Sequence, residues 1–175
     1  MNTTPDREEP LALKHLAQVN IAEQRYPNDA PEMADFMGAL NAINALAERS
    51  PGFVWRMQDE TGHAMDLRFE SRAEAADLLI NMSVWESVET LRDYVYTTAH
   101  ANVMARRAKW FPKMETSHMA LWWIEAGTVP TIEDARAAIA SLNARGPAPE
   151  AFTFDEPFGA DGVRLDLPAI TKLCA

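Results

Sequence analysis

From Leu11 to Glu125 the hydrophobic pattern alternates between the two-residue period of a strand and the 3.6-residue period of a helix, in the order strand, helix, strand, strand, helix, strand. Ala17, Val19 and Ile21 alternate with Gln18 and Asn20 in a first strand over 11–22. Met33, Phe36, Met37, Leu40, Ile43, Leu46 and Ala47 then keep helical spacing over 33–48. Ser50-Pro51-Gly52 ends that helix, because proline disfavours helix in the residue before it and glycine permits the reversal. A second strand over 53–58 places Phe53, Trp55 and Met57 on one face and Val54, Arg56 and Gln58 on the other. Asp59 to Gly62 has turn chemistry, 64–69 reads as a short extra strand, and 71–77 is a charged connection. The third strand, 78–85, feeds a helix with Ser87 as N-cap and Glu89 at the positive end of its dipole. Pro112 closes that stretch, and 118–125 is the fourth strand. Thr131 caps a further helix over 132–144, Gly146-Pro147 ends it, and 151–154 reads as a last strand.

This order is the ferredoxin-like α+β plan, an antiparallel sheet with its helices on one face, here with an extra C-terminal helix and strand. Large apolar side chains on both strand faces call for cover on the second face as well. A second copy of the sheet supplies it most simply, so the expected assembly is a homodimer. The expected organisation is an arm over 1–10, a single domain over 11–158 and a tail over 159–175.

Composition excludes several partners. Hydrophobic residues make up 47% of the 175-residue chain and charged residues 24%, an ordinary globular balance. A net charge of −10 opposes phosphate backbones and anionic membrane surfaces. The single cysteine, Cys174, provides neither a disulfide framework nor a thiolate metal site. No apolar run reaches the length of a membrane span, and residues 1–10 lack a leader pattern, so the expected location is the cytoplasm. Phosphate-cradling glycine loops, a Gly-x-Ser-x-Gly elbow and paired metal-ligand spacings are absent; the histidines at 15, 63, 100 and 118 are too far apart for a local metal motif.

The chemistry-bearing residues concentrate between Asn81 and Phe111. On a helical wheel, Tyr96, His100, Val103, Arg107, Trp110 and Phe111 gather on one side, while Leu91, Val95, Thr98 and Asn102 lie on another. One uninterrupted helix over 87–111 would be about 37 Å long, more than a small sheet can cover, so a break near 97–100 is expected. His100 is either a satisfied structural histidine or an acid, base or metal ligand. Arg107 either holds a ligand oxygen or pairs with an acidic side chain, and Tyr96 either donates a proton or fills core. One pleat face carries Gln18, Asn20, Arg56, Asn81, Ser83, Trp85, His118 and Trp122, a mixture of aromatics and orienting polar groups typical of a small-molecule pocket. It could equally be a half-wet face or a dimer seam. The opposite face carries Val19, Phe53, Trp55, Met57, Met82, Val84, Leu121 and Trp123 and reads as core.

The segments His15-Leu-Ala-Gln-Val-Asn20, Ala45-Leu-Ala47 through Ser50-Pro-Gly-Phe-Val-Trp-Arg56, Asn81-Met-Ser-Val-Trp-Glu-Ser87, His100 with Met104 and Arg106-Arg107, Lys109-Trp-Phe111, Leu121-Trp-Trp123 and Ala151-Phe-Thr-Phe154 resemble a bacterial and fungal family of unknown function. That family is assigned to the dimeric α/β-barrel superfamily. The resemblance runs from about His15 to Phe158. It implies kinship with antibiotic-biosynthesis monooxygenases, which act on polyketide-like aromatics without a cofactor, and with haem-binding enzymes. Ser83-Val-Trp-Glu-Ser87 through His100 also looks like the matching stretch of spheroidene-monooxygenase-like haem proteins, which would make His100 an axial ligand.

The resulting expectation is an oxygenase-like oxidoreductase for a hydrophobic aromatic or polyketide-like molecule held between sheet and helix. His100 and Arg107 are its candidate catalytic residues. Trp55, Arg56, Asn81, Trp85, Tyr96, Trp110, Phe111 and Trp122 are its candidate substrate contacts. The sequence requires no cofactor, and the resemblance admits haem. The competing classes are a haem enzyme with His100 as ligand, a non-catalytic small-molecule-binding dimer, and a structural dimer whose tryptophans fill the core.

Overall fold

The computed structural model describes residues 12–62, 64–65, 68–71 and 76–168. The expected arm over 1–10, His63 and Cys174 lie outside them, as does part of the expected connection over 71–77. Within the described residues, five strands form one antiparallel sheet: β1 (Lys14–Ala22), β2 (Phe53–Arg56), β3 (Arg68–Ser71), β4 (Ala76–Trp85) and β5 (Met119–Glu125). The order is β2-β4-β1-β5, with β3 beside the other end of β4. The fold is thus α+β with ferredoxin-like strand order, and the sheet of the single chain is open rather than closed into a barrel. The short strand foreseen over 64–69 is β3, shifted toward the C-terminus to form a hairpin with β4. The last strand foreseen over 151–154 reduces to isolated bridges, Ala151 with Ala148 and Phe152 with Leu121, the latter pair exchanging two 2.9 Å backbone bonds.

Among the described residues, four α-helices accompany the sheet: α1 (Ala34–Arg49), α2 (Val88–Thr97), α3 (His100–Ala105) and α4 (Ile132–Arg145). The Ser87 hydroxyl accepts from Thr90 N at 3.2 Å, and Thr90 Oγ1 accepts from Ser87 N at 3.3 Å, a reciprocal cap that fixes where α2 begins. Thr131 and Asp134 cap α4 in the same way. The expected break occurs between α2 and α3, and adjacent threonines produce it. Thr97 Oγ1 donates to Asp93 O at 2.7 Å and Thr98 Oγ1 to Tyr94 O at 2.6 Å. These hydroxyls compete for the carbonyls that the next helical turn would use, and Thr98 turns extended with φ −106° and ψ −176°.

Apolar packing is divided between the two faces of the sheet. Leu16, Trp85, Leu121 and Phe152 share one face with Val88, Leu91 and Tyr94 of α2 and its approach. Ala17, Val19, Met82 and Trp122 share the other with Ala135, Ala138, Ile139 and Leu142 of α4. Consequently Leu16 through Val19 are buried without interruption, although strand alternation alone predicts burial at every second residue. α4 thus covers part of the second face from within the chain, packed against β5.

Two face assignments differ from the sequence expectation. Leu121 pairs with Gln18 and Trp122 with Ala17, so Leu121 and Trp123 point toward α2 and Trp122 points away. Leu121-Trp122-Trp123 contains no polar residue to mark a face, and pairing with β1 decides the register. In β2, Phe53 lies opposite Trp85 but Trp55 lies opposite Val84. The bulge at Val54 inserts one residue and separates Phe53 and Trp55 onto different faces.

Candidate functional site

Between the sheet and the layer formed by α1, α2, α3 and the segment 107–114 lies a cavity of about 390 Å³. Its floor comes from two directly paired positions of β1 and β4: Gln18 beside Ser83, and Asn20 beside Asn81. Side chains two apart on a strand share a face, so this patch of amides and a hydroxyl follows from register alone. Phe36, Leu40 and Ile43 of α1 supply apolar wall.

Eight of the ten residues singled out from sequence line this cavity: Arg56, Asn81, Trp85, Tyr96, His100, Arg107, Trp110 and Phe111. Trp55 and Trp122 do not. The bulge and the β5 register send both to the α4 face, where Trp122 is 7% exposed.

Contacts divide the eight further. Arg56 is committed to structure, with Nη2 2.8 Å from Glu48 Oε1 and Nη1 donating to Gly62 O at 3.0 Å. Trp110 is also a structural anchor: its Nε1 donates to Glu32 O at 3.1 Å, its ring lies 5.3 Å from that of Phe36, and Arg106 sits over it at 5.6 Å. Phe111 packs edge-on against Phe36 at 5.0 Å. Trp85 is fully buried, stacks on Tyr94 at 5.0 Å and meets Phe53 edge-on at 5.4 Å.

His100 opens α3 immediately after the break. Its Nδ1 lies 3.3 Å from Val95 O, and a carbonyl can only accept, so this nitrogen carries the hydrogen. Nε2 then bears a lone pair, and no bond to it from the described residues occurs. Burial pushes the imidazole below its ordinary value of 6.5, with the Val95 carbonyl partly opposing the shift. His100 is therefore neutral near pH 7, with its basic nitrogen unused.

Arg107 lies exposed at the cavity rim and, among the described residues, forms no ion pair within 4.0 Å; Arg106 and Lys109 instead approach Asp35 at 3.7 and 3.9 Å. Arg107 Nη1 donates to His118 Nε2 at 3.3 Å. Burial and then the guanidinium charge hold His118 below 6.5, preserving the acceptor. Tyr96 packs edge-on against Phe154 at 5.6 Å. Burial and the Asp155 carboxylate push its phenol up, while Arg92 and Arg107 oppose the shift. It remains a hydrogen-bond donor at neutral pH.

The strand pattern puts Gln18, Ser83 and His118 on the polar face but does not mark them out from its other members, and helical spacing does not mark out Tyr94. The signal for Tyr94 was hidden by the break, which brings its ring 4.9 Å from His100 although the two do not share a face of a continuous helix. Among the described residues there is no group of three or more His, Cys, Asp or Glu placed to hold a metal ion, and no helix is long and apolar enough to cross a membrane.

The sequence profile of a family described as "Domain of unknown function (DUF3291)" matches residues 15–166. No curated protein matches. Among solved structures, SnoaB, a cofactor-independent oxygenase from Streptomyces nogalater, aligns at 15% identity and a TM-score of 0.37, over 66% of this chain and 95% of its own. A protein of unknown function from Nitrosomonas europaea aligns at 14% identity and a TM-score of 0.39, over 69% of this chain and 98% of its own.

Proposed function

The chain belongs to the DUF3291 family, and from that premise we propose that it is an oxygenase-like enzyme acting on a hydrophobic aromatic small molecule in the cavity between sheet and helices. The observation that carries the reading is His100: a neutral imidazole in the cavity wall whose Nδ1–H is held by Val95 O, leaving Nε2 as a base. Nε2 takes the proton of an acidic phenol or enol, and Arg107 at the rim stabilises the resulting anion. Such an anion is electron-rich enough to react with dioxygen. The substrate supplies all four electrons: in the keto tautomer of the phenol a ring CH₂ becomes C=O with one oxygen atom, and its two hydrogens leave with the other as water. Tyr94 and Phe111 form apolar wall, with the buried Trp85 stacked behind Tyr94, and Asn81 orients a ligand oxygen.

The test is oxygen uptake together with calorimetric binding of naphthol-type compounds. His100→Ala and Arg107→Ala are expected to lower both. Unchanged binding and turnover in both variants would dispose of the proposal. Binding lost in His100→Ala, with no oxygen uptake by the wild type on any phenolic compound tried, would leave a binding module instead.

The same lone pair supports a second reading, haem ligation. A histidine whose other ring nitrogen donates to a backbone carbonyl suits a ligand to haem iron. His100 would hold the iron and Arg107 a haem carboxylate, and the bound group would supply iron redox chemistry. A Soret band after haem addition, lost in His100→Ala, selects this branch; a colourless wild type rejects it.

A further inference from the structure

The cavity floor contains a hydrogen-bond chain whose direction is fixed by chemistry. Indole N–H can only donate, and Trp85 Nε1 donates to Ser83 Oγ at 2.9 Å. The serine hydrogen is then directed to Gln18 Oε1, also at 2.9 Å. A flipped Gln18 amide would give Ser83 two donors and leave its own hydrogen without an acceptor, so the network determines the orientation. The amide nitrogen of Gln18 consequently points away from Ser83. Gln18 and Ser83 are each 8% exposed, both border the cavity, and no acceptor from the described residues takes the Gln18 NH₂ group. The NH₂ group is not sealed in the interior, and Gln18 lines the cavity, so a partner for this donor would sit there.

The wall above this floor continues to the base. Trp85 stacks on Tyr94 with an interplanar angle of 26°, and Tyr94 contacts His100. A flat ligand along this aromatic wall meets an N–H donor at the sheet and a lone pair at the helix break. We propose that Gln18 Nε2 is a substrate-positioning donor for a carbonyl oxygen, which makes the ligand a hydroxy-carbonyl aromatic: its ketone or quinone oxygen faces Gln18 and its ionisable hydroxyl faces His100. The proposal rests on the reading of His100 as the base. Trp85 and Ser83 act through Gln18 by holding its amide in the donating orientation.

The experiment compares, by calorimetry, naphthol with an acetylnaphthol whose hydroxyl and acetyl groups sit on opposite rings. The wild type is expected to bind the acetyl compound about tenfold more tightly, the usual value of one well-placed hydrogen bond to a buried donor. Gln18→Glu replaces the donor with an acceptor of the same shape and is expected to abolish that preference. Ser83→Ala releases the amide and is expected to reduce it. Far-UV circular dichroism and the urea midpoint of each variant report an intact fold. Equal wild-type affinity for the two compounds, or a preference that persists in Gln18→Glu, overturns the proposal. If Gln18→Glu does not fold, the wild-type comparison and Ser83→Ala still decide. Failure of the base reading is separable: it removes the effect of His100→Ala on turnover and leaves the acetyl preference in place.

Discussion

The imidazole of His100 lies 4.9 Å from the Tyr94 ring at an angle of 43°, across a helix break rather than along a helix face. Tyr94 belongs to α2 and His100 to α3, and the extended Thr98 between them brings the two rings together. Burial raises the Tyr94 phenol, with Arg56 opposing, and lowers the imidazole. Both rings are therefore uncharged at neutral pH, and His100 keeps its lone pair.

Stability should fall on mild acidification. His100 and His118 both have folded-state pKa values below 6.5. As pH falls through about 6.5, the unfolded chain binds protons that the folded chain refuses, so stability is lost from there down to the folded pKa values. The urea midpoint is expected to drop between about pH 7 and pH 5. The slope should be shallower in the His100→Gln/His118→Gln double variant. An equally steep slope in that variant would show that other groups govern this range.

Gly52→Ala should destabilise strongly. Gly52 has φ +75°, and a Cβ there would lie 2.6 Å from the Thr90 side chain, which the α2 cap holds in place. Backbone strain and overlap act together, for a cost of roughly 1–3 kcal/mol. A denaturation midpoint equal to that of the wild type would contradict this.

Ser87→Ala removes the side-chain half of the α2 cap and should cost about 1 kcal/mol. Because α2 carries the Tyr94 wall and Val95, the loss should also weaken ligand binding. Thr131→Ala, at the matching position of α4, should cost a similar amount of stability without that second effect. Calorimetry on the two variants side by side makes the distinction.

Tryptophan substitutions should separate the two sheet faces. Trp122→Phe is expected to cost on the order of 1–3 kcal/mol through poorer packing against α4 while leaving naphthol affinity unchanged. Trp85→Phe is expected to lower affinity for the acetyl compound by removing the donor to Ser83. Equal effects of the two variants on binding would mean that the cavity boundary is misplaced.

Much of this arrangement was legible in the sequence. Ser87, Thr131 and Ser50-Pro51-Gly52 announce helix ends through local chemistry, and the excessive length of an 87–111 helix announces the break. The faces of β2 and β5 were not legible. A bulge leaves no compositional mark at Val54, and three consecutive apolar residues in β5 carry no alternation, so long-range pairing alone assigns them. The candidate site divides along the same line. Residues clustered on one helix side could be collected from spacing, whereas the direction of the Trp85–Ser83–Gln18 chain needed relative positions of atoms on two strands.

Strand β1 serves both layers at once: Leu16 belongs to one apolar cluster, Ala17 to the other, and Gln18 to the cavity floor. Adding or deleting one residue at its centre would drive an amide into a dry interior and put a methyl group where the ligand is held. Length changes among homologous chains should therefore collect in the turns, such as 59–62, and avoid 16–20. The order of side chains in this one strand then works as a reading frame for the protein.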